Sequence, residues 1–100
     1  MTELKDHIAQ IKLLCNLHKV RSLFAFGSVT TDNLTPESDI DMVVDIDSND
    51  PLEYSDNYFA IKFQLENILK RHIDLLEEKS INNIYLKKSI DNTKVLIYGR

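Results

Sequence analysis

Leu23-Phe24-Ala25-Phe26-Gly27-Ser28, ten further residues, and then Asp39-Ile40-Asp41-Met42-Val43-Val44 are the residues from which the rest of this chain can be laid out. The run from Leu23 to Phe26 is short, apolar and consistent with a buried strand, and Gly27 can adopt the backbone angles that turn a chain sharply out of it. Ser28 then begins a short helical turn, where free backbone N–H groups and the positive end of the dipole favour phosphate oxygens. A second strand carries Asp39 and Asp41 into Met42-Val43-Val44. Residues two apart on a strand face the same way, so both carboxylates aim into one space. Hard oxygen ligands of that kind suit Mg²⁺ or Mn²⁺.

His72-Ile73-Asp74-Leu75-Leu76 places a third acid in an apolar run, a costly position for a carboxylate without a partner or a metal. If Ile73 to Leu76 runs parallel to the second strand, a helical crossover of the length of residues 52–71 must join them. Asp74 then lies near the start of its strand, level with Asp39 and Asp41. The Gly27-Ser28 turn ends the first strand, so that strand must run antiparallel to the second for the turn to meet the acids. Three carboxylates and a Gly-Ser turn are the parts needed to hold a metal-bound nucleoside triphosphate.

Outward from this centre, Leu4, Ile8, Ile11 and Cys15 recur at helical spacing and predict an amphipathic helix over residues 3–18, with Thr2 as its N-cap. Tyr54, Tyr58, Ile61, Leu65 and Ile68 mark the inner stripe of the crossover helix, widened by Phe59 and Phe63 and introduced by Asn49-Asp50-Pro51. Ser80 is positioned to cap a last helix of about ten residues bearing Ile81, Ile84 and Tyr85, and Lys94 to Tyr98 reads as a closing strand. The expected fold class is α/β, in its α+β form: a small mixed β-sheet flanked by helices, with one domain over residues 1–100.

Composition narrows the function classes. At 100 residues there is room for one core. A net charge of −4 argues against a polynucleotide as the main ligand, because nucleic-acid binders concentrate positive charge. No apolar stretch approaches the ~20 residues of a membrane span and no basic-then-apolar leader opens the chain, so the cytoplasm is expected. Cys15, alone of its kind, reads as core filling. Asp45-Ile46-Asp47-Ser48-Asn49-Asp50 imitates the start of a calcium loop but has Asp50 where that loop needs Gly, and reads as a solvated turn. His7, His18 and His72 share no metal-ligand spacing and are expected at the surface or core edge. Lys87 and Lys88 fall on the last helix.

Gly27-Ser28 followed at this spacing by Asp39-x-Asp41, and later by Ile73-Asp74-Leu75, resembles the signature of the DNA polymerase beta-like nucleotidyltransferases. Over nearly the whole chain the resemblance is to their minimal, single-domain members, which often act as the antitoxin partner of a HEPN-domain protein. It implies a metal-dependent transfer of a nucleoside monophosphate, AMP from ATP, to a hydroxyl of a partner protein. Asp39, Asp41 and Asp74 would be the catalytic and Mg²⁺ or Mn²⁺ ligands, Gly27 and Ser28 the nucleotide-binding pair, and Asp74 the group that accepts or orients the acceptor's proton. The chain ends at Arg100 soon after its last strand, so the acceptor surface is expected from another protein, a HEPN-type ribonuclease held in a hetero-oligomer. Many relatives carry an Arg and a Gly shortly after the Gly-Ser, where this chain has Val29-Thr30-Thr31-Asp32. That removes a positive charge from the loop, which a partner's Lys or Arg could replace. The alternative is a binding module that neutralises its partner by contact alone.

Overall fold

The computed structural model describes residues 1–99, and its elements run in the order α1 (Thr2–Lys5), α2 (Ile8–Leu17), β1 (Val20–Phe26), β2 (Ile40–Ile46), α3 (Pro51–Leu69), β3 (Ile73–Glu77), α4 (Ile84–Thr93) and β4 (Val95–Gly99). The four strands form one sheet in the order β3-β2-β1-β4. β1 is antiparallel to both β2 and β4, and β2 is parallel to β3 through the α3 crossover. This is the mixed sheet with flanking helices that the residue pattern implies.

Alternation along the strands divides the sheet into two unlike faces. Leu23 and Ala25 of β1, Ile40, Met42 and Val44 of β2, and Ile73 and Leu75 of β3 are buried in one core with Ile11 and Cys15 of α2 and Ile61 and Leu65 of α3. Side chains at odd and even strand positions point oppositely, so Phe24 and Phe26, Asp41, Val43 and Asp45, and Asp74 and Leu76 share the other face. There the cover is thinner. A smaller cluster of Phe26, Val43 and Ile90 of α4, with Leu76 and Ile81 against it, shields part of the sheet. Thus the strand period alone delivers Asp41 and Asp74 to the sparsely covered side.

α3 forms where its capping chemistry says it should. Asp50 accepts the Leu52 N–H at 3.0 Å, Pro51 occupies the first turn, and Lys70 ends the helix in the left-handed conformation at φ 55°. Ile61 and Leu65 are fully buried, each worth about 1.5–3 kcal/mol relative to exposure. The hydroxyls of Tyr58 and Tyr54 donate to Leu75 O at 2.6 Å and to Glu77 at 3.2 Å, stitching the helix to β3.

Four expectations are corrected. Residues 3–18 are two helices, because the chain leaves the helical ladder at Asp6-His7, where the His7 N–H reaches Leu4 O at 3.0 Å. Thr2 lies inside α1, and no side chain caps that helix. Phe59 and Phe63 do not widen the inner stripe: they stack on one another at 5.9 Å and are 49% and 60% exposed. Ser80 lies in a 3₁₀ turn over Glu78–Ser80, and α4 is capped instead by Asn83, whose side chain accepts the N–H groups of Tyr85 and Leu86 at 2.9 and 3.1 Å. The later start leaves Ile84 and Tyr85 exposed, and Ile90 is the residue α4 buries.

The calcium-like run is consumed by ordinary contacts. Arg21 binds Asp45 at 3.0 Å and Asp47 at 2.7 Å, and Asp50 is the α3 cap. Cys15 is fully buried, and burial pushes its thiol up to about 12, which keeps it an inert core group. Among the described residues no helix is long and apolar enough to cross a membrane.

Candidate active site

Gly27 follows the last residue of β1 at φ +74° and opens a 3₁₀ turn over Gly27–Val29. Thr30 and Thr31 brace this turn. Gly27 O accepts the Thr30 N–H at 3.2 Å and the hydroxyls of Thr30 and Thr31 at 3.0 and 3.2 Å. The Gly27 N–H is itself taken by Thr93 Oγ1 of α4 at 2.9 Å. The amides of Ser28 and Val29 begin the turn, where the i→i−3 pattern has no carbonyl to offer them.

The antiparallel register sets Phe26 opposite Asp41, which brings the Gly-Ser turn onto the first acid. A β-carbon built on Gly27 would lie 2.9 Å from Asp41 Oδ2. Glycine is thus required twice, by the backbone angle and by the carboxylate packed against it. The parallel register sets Asp41 directly opposite Asp74. Burial first, and then the neighbouring charges of Asp74 and Asp39, raises the Asp41 carboxyl above its ordinary value. Among the described residues no Lys, Arg or His forms an ion pair with Asp41 or Asp74.

Asp39 stands one residue before β2, outside the ladder, with about half its side chain exposed. Ile40 pairs with Ile73, so the residue across from Asp39 is His72, and Asp74 is level with Asp41 alone. His72 Nδ1 lies 3.2 Å from Asp39 Oδ2. The structure therefore brings Gly27, Ser28, Asp41 and Asp74 together at one end of the open face, with Asp39 beside them on the arm of His72. No three His, Cys, Asp or Glu side chains among the described residues are gathered tightly enough to form a metal site as they stand. The donor chemistry nonetheless fits a hard divalent cation: oxygen ligands on adjacent strands, crowded like charges and, among the described residues, no basic partner on Asp41 or Asp74.

Sequence reasoning missed His72, although its register could have been counted, since Asp39 precedes Asp41 by as many residues as His72 precedes Asp74. It also missed Thr93, which no motif marks. A third unforeseen feature is a cavity of about 410 Å³ on the same face, lined by Phe24, Val43, Ile81, Ile90, Lys87 and Lys94 among others. Val43 and Phe24 each lie two residues along their strands from Asp41 and Phe26, so the cavity lies farther along the same face of the sheet. Lys94 Nζ sits 4.9 Å from the Phe24 ring centroid and 3.2 Å from Asp91.

Residues 9–100 match the family model described as polymerase beta, nucleotidyltransferase. MJ1379 of Methanocaldococcus jannaschii, named a candidate protein adenylyltransferase, is 37% identical over 98 residues that span 97% of each chain. Among solved structures, a chain of a toxin–antitoxin complex crystallised with AMP-PNP superposes with a TM-score of 0.71 at 20% identity, over 93% of this chain and 73% of that one. A chain of the complex between a tri-AMPylated HEPN toxin of Shewanella oneidensis and its MNT antitoxin superposes at 0.65 and 18% identity, over 96% of this chain and 72% of that one. At these identities the two structures establish a shared fold.

Proposed function

Because this chain belongs to the polymerase beta nucleotidyltransferase family, we propose that it transfers AMP from ATP to a hydroxyl of a HEPN-type partner protein, acting as that partner's antitoxin. The observation that carries the site assignment is the meeting of Gly27, Asp41 and Asp74: a carboxylate packed on the turn glycine, in register with a second acid and, among the described residues, paired with no basic side chain. A site of uncompensated negative charge beside a phosphate-accepting turn makes chemical sense when the ligand brings cations with it. That is how a triphosphate travels in the cell.

Asp39, Asp41 and Asp74 would hold Mg²⁺ or Mn²⁺, which supplies positive charge to the triphosphate and to the leaving pyrophosphate. The amides of Ser28 and Val29 would orient phosphate oxygens at the turn. Asp74, the exposed member of the Asp41–Asp74 pair, faces an arriving acceptor and would take the hydroxyl proton as the acceptor oxygen bonds to the α-phosphorus and pyrophosphate departs. The cavity beneath α4 has the volume for the nucleoside end of ATP. Lys87 and Lys94 line it together with Glu78 and Asp91, Lys94 being paired with Asp91, so Lys87 is the cation there without an ion-pair partner among the described residues, in place of the charge that the loop after Ser28 lacks. The same face lies open to a partner protein, which places the acceptor hydroxyl and makes the working unit a hetero-oligomer in the cytoplasm. The domain is taken as residues 1–100.

Intact-mass spectrometry of the partner co-expressed with this chain tests the proposal. Added AMP mass on the partner with the wild type, and none with Asp41→Asn, is the expected result. A partner neutralised without any added mass would instead make this chain a blocking module.

A further inference from the structure

Asp39 is held by a different means from the other two acids. It sits outside the β2 ladder, and the turn between α3 and β3 grips it instead. With Lys70 in the left-handed conformation the chain doubles back, and Arg71 donates to the carbonyls of Thr35 at 2.7 Å and Ser38 at 2.9 Å, the latter immediately before Asp39. The Ile40 N–H, immediately after Asp39, donates to His72 O at 3.1 Å. Between these two anchors His72 Nδ1 reaches Asp39 Oδ2 at 3.2 Å, while its Nε2 lies 3.8 Å from Glu66 Oε2. That Glu66 oxygen is fixed in turn by the Ile73 N–H and by Lys62, each at 3.1 Å. The imidazole stands between one carboxylate tied to α3 and another that belongs to the site.

The geometry points to His72 and Arg71 as positioning residues that hold Asp39 ready for a divalent cation, with Glu66 orienting the imidazole. The inference rests on Asp39 being a cation ligand. The imidazole stands against Oδ2 at 3.2 Å and leaves Oδ1 for the cation, so the orientation of an otherwise solvated side chain is restricted before binding. Carboxylate ligands oriented by a neighbouring side chain hold metals more tightly, and losing such a partner typically lowers affinity about 10–100-fold. His72 and Asp39 are each more than half exposed, so the effect belongs at the low end of that range.

Titration of the full chain with Mn²⁺, read by electron paramagnetic resonance, provides the test. His72→Ala weakens Mn²⁺ binding about 10-fold. His72→Asn, whose amide reaches where Nδ1 stood, recovers most of the affinity. The melting temperature of His72→Ala stays within about 2 °C of wild type, because an exposed pair contributes little to stability. Equal losses in His72→Ala and His72→Asn, or wild-type affinity in His72→Ala, overturn the positioning role. Asp39→Asn is the control: if it too binds Mn²⁺ as wild type does, the cation-site reading beneath the inference is what fails.

Discussion

Replacing Asp41 with Asn removes a half-buried charge from between two other carboxylates, and should stabilise the fold while disabling the site. Neighbouring strands are about 4.8 Å apart, which puts the paired Asp41 and Asp74 carboxylates about 5 Å from each other in the observed register. Their repulsion is then about 0.8 kcal/mol in water and about 3 kcal/mol at an effective dielectric of 20. Asp74 is exposed, so solvent screening favours the lower figure, about 1 kcal/mol. For a domain of this size that corresponds to a rise in Tm of about 4–8 °C. The sign with pH follows from the raised Asp41 carboxyl. A folded state that binds the proton more tightly than the unfolded chain loses stability as pH rises through the window above the ordinary carboxylate value. The wild type carries the full penalty at neutral pH, and the advantage of Asp41→Asn shrinks to nothing as the solution is acidified through that window. Thermal melts of both proteins at neutral pH and at about pH 3.5 in low salt measure this. A neutral-pH Tm unchanged or lowered by the substitution, or a gain of equal size at acid pH, would refute the account of crowded like charges. Mg²⁺ should then raise the wild-type Tm and leave that of Asp41→Asn where it was.

Gly27→Ala should cost about 1–2 kcal/mol in urea unfolding, because alanine is strained at φ +74° and its β-carbon displaces the Asp41 carboxylate. ATP titration of the same variant should show weakened binding, and an unaltered affinity would sever the turn from the site. Asn83→Ala should destabilise by about 1 kcal/mol through the loss of two capped amides, whereas Ser80→Ala should have no measurable effect; the reverse order would place the cap wrongly. Leu65→Ala, which opens a void in the main core, is expected to cost about 2–5 kcal/mol, against less than about 0.5 for Phe63→Ser on the exposed side of α3. Lys87→Ala with Lys94→Ala should raise the Kd for Mg²⁺-ATP about 3–10-fold, equivalent to about 1 kcal/mol of charge interaction; equal binding by fluorescence titration would remove the cavity from the nucleotide's path.

The strands, their relative directions and the helical crossover were legible in sequence because they depend on short-range signals that few residues carry. Period-two alternation in Ile40–Ile46 and Ile73–Glu77 set which side chains go to which face. Gly27 announced the turn, and Asp50-Pro51 announced the start of α3. A one-residue slip would have sent Asp41 and Asp74 into the core and turned Met42 and Leu75 out onto the open face. Their presence among apolar neighbours therefore specified the register nearly as firmly as it suggested the chemistry.

What only the tertiary structure decided were the choices between locally equivalent options. Ser80 and Asn83 are both good caps, and the packing of Ile90 against Phe26 and Val43 selected the later start for α4. Phe59 and Phe63 are apolar enough for a core, but the angular position of Ile61 and Leu65 left them facing out. His72 looked like an isolated surface histidine until the pairing of Ile40 with Ile73 set it beside Asp39. Thr93 and Lys94 came to the open face through a helix whose orientation no motif encodes. Local sequence determines an element's period and its ends. Which residue meets which across 30 or 60 positions of chain depends on packing and pairing energies summed over the whole fold, and the surroundings of the three acids are of that kind.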